Sequence, residues 1–165
     1  MLLGVAVGVA LTLVLVVRNL NQPRVRPLYA RPEGGWTTVA PSSIDETAHA
    51  GVLLLHLDGS LYTGNAQSTL DDVVGRAQAD PSVHTVVLEG SVVHVVTVTM
   101  IDTFRSMQDG LATDGMSLLL SGFPPDTLEV MRRSRWFAEA EAAGLTQPTV
   151  DAAVAEAAAG ADADA

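Results

Sequence analysis

Thr97, Val98 and Thr99 open an amphipathic pattern in which Met100, Phe104, Met107 and Leu111 recur at helical spacing. Hydroxyls and backbone N–H groups at a helix start favour anions, through exposed donors and the positive end of the dipole. The chemistry on offer there is contact with an anion or a partner, and Thr99 is the expected N-cap. Other chemistry-bearing types are scattered. The chain has no Lys, which excludes a nucleotide-hydrolysing P-loop, and it has no dinucleotide fingerprint. His49, His56, His84 and His94 lack close-spaced partners, so they read as structural histidines and not as metal ligands. Ser42, Ser43, Asp45 and His49 have the residue types of a hydrolytic triad, but they sit among prolines with no scaffold to hold them. Asp71, Asp72, Glu139 and Glu141 read as solvated face charges. No catalytic centre, cofactor or metal site is expected.

The elements that must position the threonines follow from periodicity. GVLLLHL (51–57) is a continuous apolar run, the mark of a strand buried on both faces, and HTVVLEG (84–90) and MSLLLS (116–121) read as a second and a third buried strand. Asp58-Gly59 followed by Ser60, Leu61 and Tyr62 suggests a hairpin. Asn65 is the expected N-cap of a helix whose inner face is Leu70, Val73, Val74 and Ala77, ending before Asp80-Pro81. Gly115 closes the helix that Thr99 opens. Pro124, Pro125 and Asp126 start a short helix with Leu128 and Met131 inward and Arg132, Arg133 and Arg135 at its C-terminal end. A last helix is expected over Thr149–Ala159. Strands alternating with helices predict an α/β fold with a small mixed sheet and helices packed on it.

Ahead of this pattern lies LLGVAVGVALTLVLVV (2–17), without a charge. It reads as one transmembrane helix over residues 1–20, about 24 Å long at ~1.5 Å per residue against a ~30 Å hydrocarbon core. Gly4, Gly8 and Thr12 form a small-residue stripe that lets a second helix approach closely. Arg18, Arg24, Arg26 and Arg31 follow with no acid before Glu33, which places the C-terminal side in the cytoplasm and the chain in the inner (plasma) membrane as a single-pass protein. The remaining five arginines face all 19 acids, a balance that repels a phosphate backbone and excludes nucleic acid as a partner. There is no Cys, hence no disulfide. Residues 21–50, broken by Pro23, Pro27, Pro32, Gly34, Gly35 and Pro41, read as a cytoplasmic linker. Val25–Tyr29 is extended there, and 36–39 is an edge strand. Residues 51–160 form the folded domain and 161–165 a frayed tail. The expected partners are the lipid bilayer, other transmembrane helices or a transporter core, and a cytoplasmic protein.

VVLEGSVVHVVTVTMIDTF (86–104) resembles the strand–loop–helix core of a STAS domain, the fold shared by anti-sigma factor antagonists and the C-terminal part of SulP anion transporters. In the transporter version an apolar strand closes on an acid, and the loop ends in Asp-Val-Thr or Asp-Ser-Thr at a helix start. Glu89 matches the acid, and Val98 and Thr99 match the last two loop positions. Thr97 stands where the family usually has Asp. GVLLLHLDGSLYTGNAQ (51–67) and MSLLLSGFPPDTLEVMRRSRW (116–136) are similar to the flanking strands and helices, and the apolar helix with RNLNQPRVRPLYARPEGG (18–35) is similar to the last transporter span and its connector. The resemblance covers about residues 2–160. It implies a STAS-like domain acting as the regulatory region of a SulP-type sulfate or inorganic anion transporter. One span cannot enclose an anion path, so the chain reads as a fragment, a split gene or a degenerate relative, not transport-competent alone. The antagonists are switched by phosphorylation of a Ser after the loop Asp. Val98 holds that position without a hydroxyl, flanked by Thr97 and Thr99. The alternative is a free-standing, membrane-tethered interaction module of the antagonist kind.

Overall fold

The computed structural model describes residues 2–20, 22–40 and 51–163. In chain order the elements are α1 (Leu2–Leu20), β1 (Val25–Pro27), β2 (Tyr29–Ala30), β3 (Trp36–Thr37), β4 (Val52–Leu57), α2 (Ala66–Ala79), β5 (Thr85–Glu89), α3 (Val98–Thr113), β6 (Ser117–Ser121), α4 (Pro125–Met131), α5 (Arg135–Ala142), β7 (Thr146–Gln147) and α6 (Val150–Ala163). The main sheet has the order β1-β4-β5-β6-β7. β4 to β7 run parallel and β1 is antiparallel to β4, so the sheet is mixed as expected.

The three apolar runs become β4, β5 and β6 because both faces of the sheet are covered. Leu55, Leu57, Val86, Leu88, Leu118 and Leu120 point into the larger core, shared with Val73 and Ala77 of α2, Met100, Phe104, Met107 and Leu111 of α3, and Phe137 of α5. The alternate residues Leu54, Val87 and Leu119 meet Val150, Ala153 and Ala157 of α6, with Leu28 and Trp36 on the same side. Side chains that alternate between two covered faces make the middle of each strand apolar and leave the polar residues, His56, Thr85, Glu89, Ser117 and Ser121, towards the strand ends.

Several local expectations are corrected. No hairpin follows Asp58-Gly59: Val25 already pairs with Leu57 on the free edge of β4, so Ser60–Tyr62 turns away into α2 and Leu61 is buried. The antiparallel neighbour of β4 comes from the stretch read as a linker. Trp36 and Thr37 pair with β2 in a separate two-stranded ribbon and do not lie on the edge of the main sheet. Asn65 precedes α2 without capping it through its side chain. Its Oδ1 accepts from the Tyr62 N–H (2.9 Å), so it shapes the turn before the helix. Arg135, expected at the end of α4, instead starts α5, which with β7 was not foreseen. α6 runs on to Ala163, since alanine-rich sequence propagates a helix past a single Gly160. Pro41–Ala50, with the triad residue types and His49, and the last two residues of the tail lie outside the described residues.

The transmembrane expectation is not met by the helix itself. Among the described residues no helix is long and apolar enough to cross a membrane. The uncharged stretch of α1 rises only about 24 Å before Arg18 closes it, short of a ~30 Å hydrocarbon core.

Candidate functional site

The loop between β5 and α3, Gly90–Thr97, leaves the C-terminal edge of the parallel strands, where β4 and β6 also end and β1 begins. Its first anchor is Glu89, the last residue of β5. Glu89 pairs through Oε2 with His56 Nδ1 on β4 and accepts the Ser91 N–H through Oε1 (2.8 Å). The parallel register sets the two residues side by side (His56↔Glu89), and both are largely buried. The second anchor is Thr127, whose hydroxyl donates to the Val93 carbonyl (2.7 Å) from α4. The third is Thr97. Its Oγ1 accepts the Met100 N–H (3.1 Å) and donates to the Leu61 carbonyl (2.8 Å) of the neighbouring loop. Gly90 is confined too, because a Cβ there would lie 2.3 Å from the Phe123 ring.

Thr97, not Thr99, is therefore the N-cap of α3. Its extended backbone (φ −116°, ψ 156°) presents the hydroxyl to the first free N–H groups of the helix. Thr97 is half-buried and its hydroxyl is engaged in both directions, so it does not stand free on the rim. Thr99 lies in the first turn with its Oγ1 3.5 Å from Thr63 Oγ1, and its carbonyl accepts from Thr103 Oγ1 (2.6 Å). Val98 is 76% exposed, with Val92 and Val95 exposed beside it. The structure thus brings Thr97, Val98 and Thr99 together on one rim, with the valine outermost.

The stripe on α1 is also present as a face. Thr12 turns its hydroxyl back to the Gly8 carbonyl (2.8 Å), and a Cβ at Gly4 or Gly8 would meet nothing within 4 Å. No other described element covers it. Among the described residues no three metal-ligating side chains gather. The His56–Glu89 pair was missed at the sequence level. Its only trace is that two apolar runs each carry a titratable residue near the C-terminal end.

A family model described as STAS domain matches residues 43–153. The chain belongs to the STAS domain family. Solved structures agree on the fold. The murine Solute Carrier 26 family member A9 anion transporter in the inward-facing state matches with a TM-score of 0.69 at 20% identity, covering 94% of this chain and 25% of that one. A sulfate transporter family protein from Wolinella succinogenes matches with a TM-score of 0.54 at 22% identity, covering 72% of this chain and 88% of that one. The SulP transporter STAS domain from Vibrio cholerae gives 0.51 at 18% identity, covering 76% and 89%. This STAS chain spans about a quarter of the length of the murine transporter. No curated protein matches.

Proposed function

We propose that this STAS chain is the regulatory and interaction region of a SulP-type sulfate or inorganic anion transporter, attached to the inner (plasma) membrane through α1 with the domain in the cytoplasm. The observation that carries the reading is continuity. α1 enters β1 within a few residues, and the likeness to the murine anion transporter covers 94% of the chain, so it takes in most of α1 as well as the domain. Four arginines after the apolar run favour a cytoplasmic C-terminus. The short uncharged stretch of α1 is accommodated by local bilayer thinning, by Arg18 reaching the headgroups, and by a neighbouring helix on the Gly4, Gly8 and Thr12 stripe. On this reading the Thr97–Thr99 rim is the contact loop, with Val98 and Thr99 supplying the contact and Thr97 holding the backbone. The role is regulatory and not catalytic.

The test is membrane extraction and transport. The full chain, expressed alone, is expected in the membrane fraction after alkaline carbonate washing, with a C-terminal reporter active only in the cytoplasm. Vesicles containing it alone are expected to take up no more sulfate than empty ones, because one helix cannot satisfy a polar path. Release by carbonate, or an active reporter on the outer side, would sink the anchoring. Saturable sulfate uptake by the chain alone would sink the regulatory reading.

A further inference from the structure

Outside α1, the exposed large hydrophobics among the described residues are Val39, Tyr62, Val92, Val95, Val98 and Val130. Four of the six gather at one end of the domain, on the β4–α2 loop, the β5–α3 loop and the first residue of α3. This is the end from which α1 departs. Arg24, four residues after Leu20, is fixed there: its carbonyl accepts the Asp58 N–H (2.8 Å) and its N–H donates to Thr69 Oγ1 (3.1 Å). Four residues reach at most ~14 Å, and β5 lies two strands from β1, about 10 Å away. The end of α1 therefore lies within about 24 Å of the end of β5, at the end of the sheet from which the loop leaves.

The valines are held outward. Val93 is buried and its carbonyl is tied to Thr127, while the Glu89–Ser91 and Thr97–Met100 bonds fix the two ends of the loop. A loop pinned on its inner side cannot fold Val92, Val95 and Val98 into the core. Its chemistry also differs from that of the rest of the domain. Ser91–Val98 contains no acid in a chain with 19. Two nearby acids are occupied, Asp58 by Arg26 (2.8 Å) and Glu89 by His56. Arg18, near the end of α1, is exposed, and Arg26 is exposed in its pair with Asp58.

We infer that this edge lies against the bilayer surface, with Val92, Val95 and Val98 in contact with lipid and Arg18 at the headgroups. The inference rests on α1 being membrane-embedded. Small apolar side chains, an aromatic residue and an arginine at one end of the domain match an interface of acyl chains beneath anionic headgroups. The acidic remainder of the domain then faces away from the negative surface. The β5–α3 loop becomes a second membrane contact beside α1, fixing the orientation of the domain.

The chain has no Cys, so single cysteines introduced into the full-length protein can be labelled uniquely with an environment-sensitive fluorophore. The positions are Val9→Cys on α1, Val95→Cys and Val98→Cys on the loop, and Ala112→Cys at the far end of α3. Each protein is placed in vesicles of phosphatidylcholine and phosphatidylglycerol and quenched by brominated acyl chains or by aqueous iodide. Positions 95 and 98 are expected to be quenched by brominated lipid, with iodide quenching at least about fivefold weaker than at position 112, because hydrocarbon excludes ions. Iodide access at 95 and 98 equal to that at 112 overturns the inference. So does shielding from iodide without quenching by brominated lipid, which would mean that protein covers the loop. If position 9 is quenched by lipid and 95 is not, only this inference fails. If position 9 is not quenched either, the membrane reading itself fails.

Discussion

Replacing Thr97 with Ala removes two hydrogen bonds made by one hydroxyl. The Met100 N–H loses its cap acceptor, which costs about 1 kcal/mol at an N-cap. The Leu61 carbonyl, on a fully buried residue, loses its donor, worth roughly another 1 kcal/mol. The sum, about 2 kcal/mol, corresponds to a fall in Tm of roughly 4–8 °C for a chain of this size. Thr97→Ser keeps the hydroxyl and is expected within about 0.5 kcal/mol of the parent, the usual scale of neutral changes. Thr99→Ala removes only a 3.5 Å contact to Thr63 and substitutes a better helix former, so it is expected to be neutral or slightly stabilising. Urea unfolding of the full chain in detergent, followed by circular dichroism, measures all three. A Thr97→Ala midpoint indistinguishable from the parent, or a Thr99→Ala cost larger than that of Thr97→Ala, would refute this account of the loop.

Glu89→Ala leaves His56 Nδ1 and the Ser91 N–H without their acceptor at a largely buried position, and is expected to cost about 3 kcal/mol by urea unfolding. Glu89→Gln keeps an acceptor and should cost clearly less; equal costs would show that the pair itself does not hold the loop. Gly90→Ala drives a methyl into the Phe123 ring, which is stacked edge-on against Phe104 at 5.9 Å, and should lose about 1–3 kcal/mol by overpacking, read as a lower thermal midpoint. Arg132 at the end of α4 grips Glu141 of α5 through two 2.7 Å bonds and holds that carboxyl below its usual 4.5. A carboxyl depressed in the folded state stabilises above 4.5, and that contribution is lost as pH falls through the folded value. The destabilisation caused by Arg132→Leu should therefore be largest near neutrality and shrink below pH 4.5 in a series of melts; a gap that stays constant with pH would sever it from this ion pair.

The sequence by itself determined the layers of this protein. The short apolar segments within 51–57, 84–90 and 116–121, bounded by turn residues, read as strands covered on both sides, and the Met100, Phe104, Met107, Leu111 stripe as the inner face of a helix, and both are so in the fold. These are local signals, because burial on two faces or on one stripe is written in consecutive residues. The position of the loop that carries Thr97–Thr99 was legible for the same reason. What the threonines do there was not. Both are adequate caps by type, and the choice of Thr97 depends on the Leu61 carbonyl, 36 residues earlier, receiving its hydroxyl. The pairing of β1 with β4 escaped because three residues between prolines carry too little pattern to outweigh Asp58-Gly59, a strong local turn signal. The His56–Glu89 pair exists only through the parallel register of β4 and β5, and a register is a property of two strands packed together, which neither strand's residues contain alone.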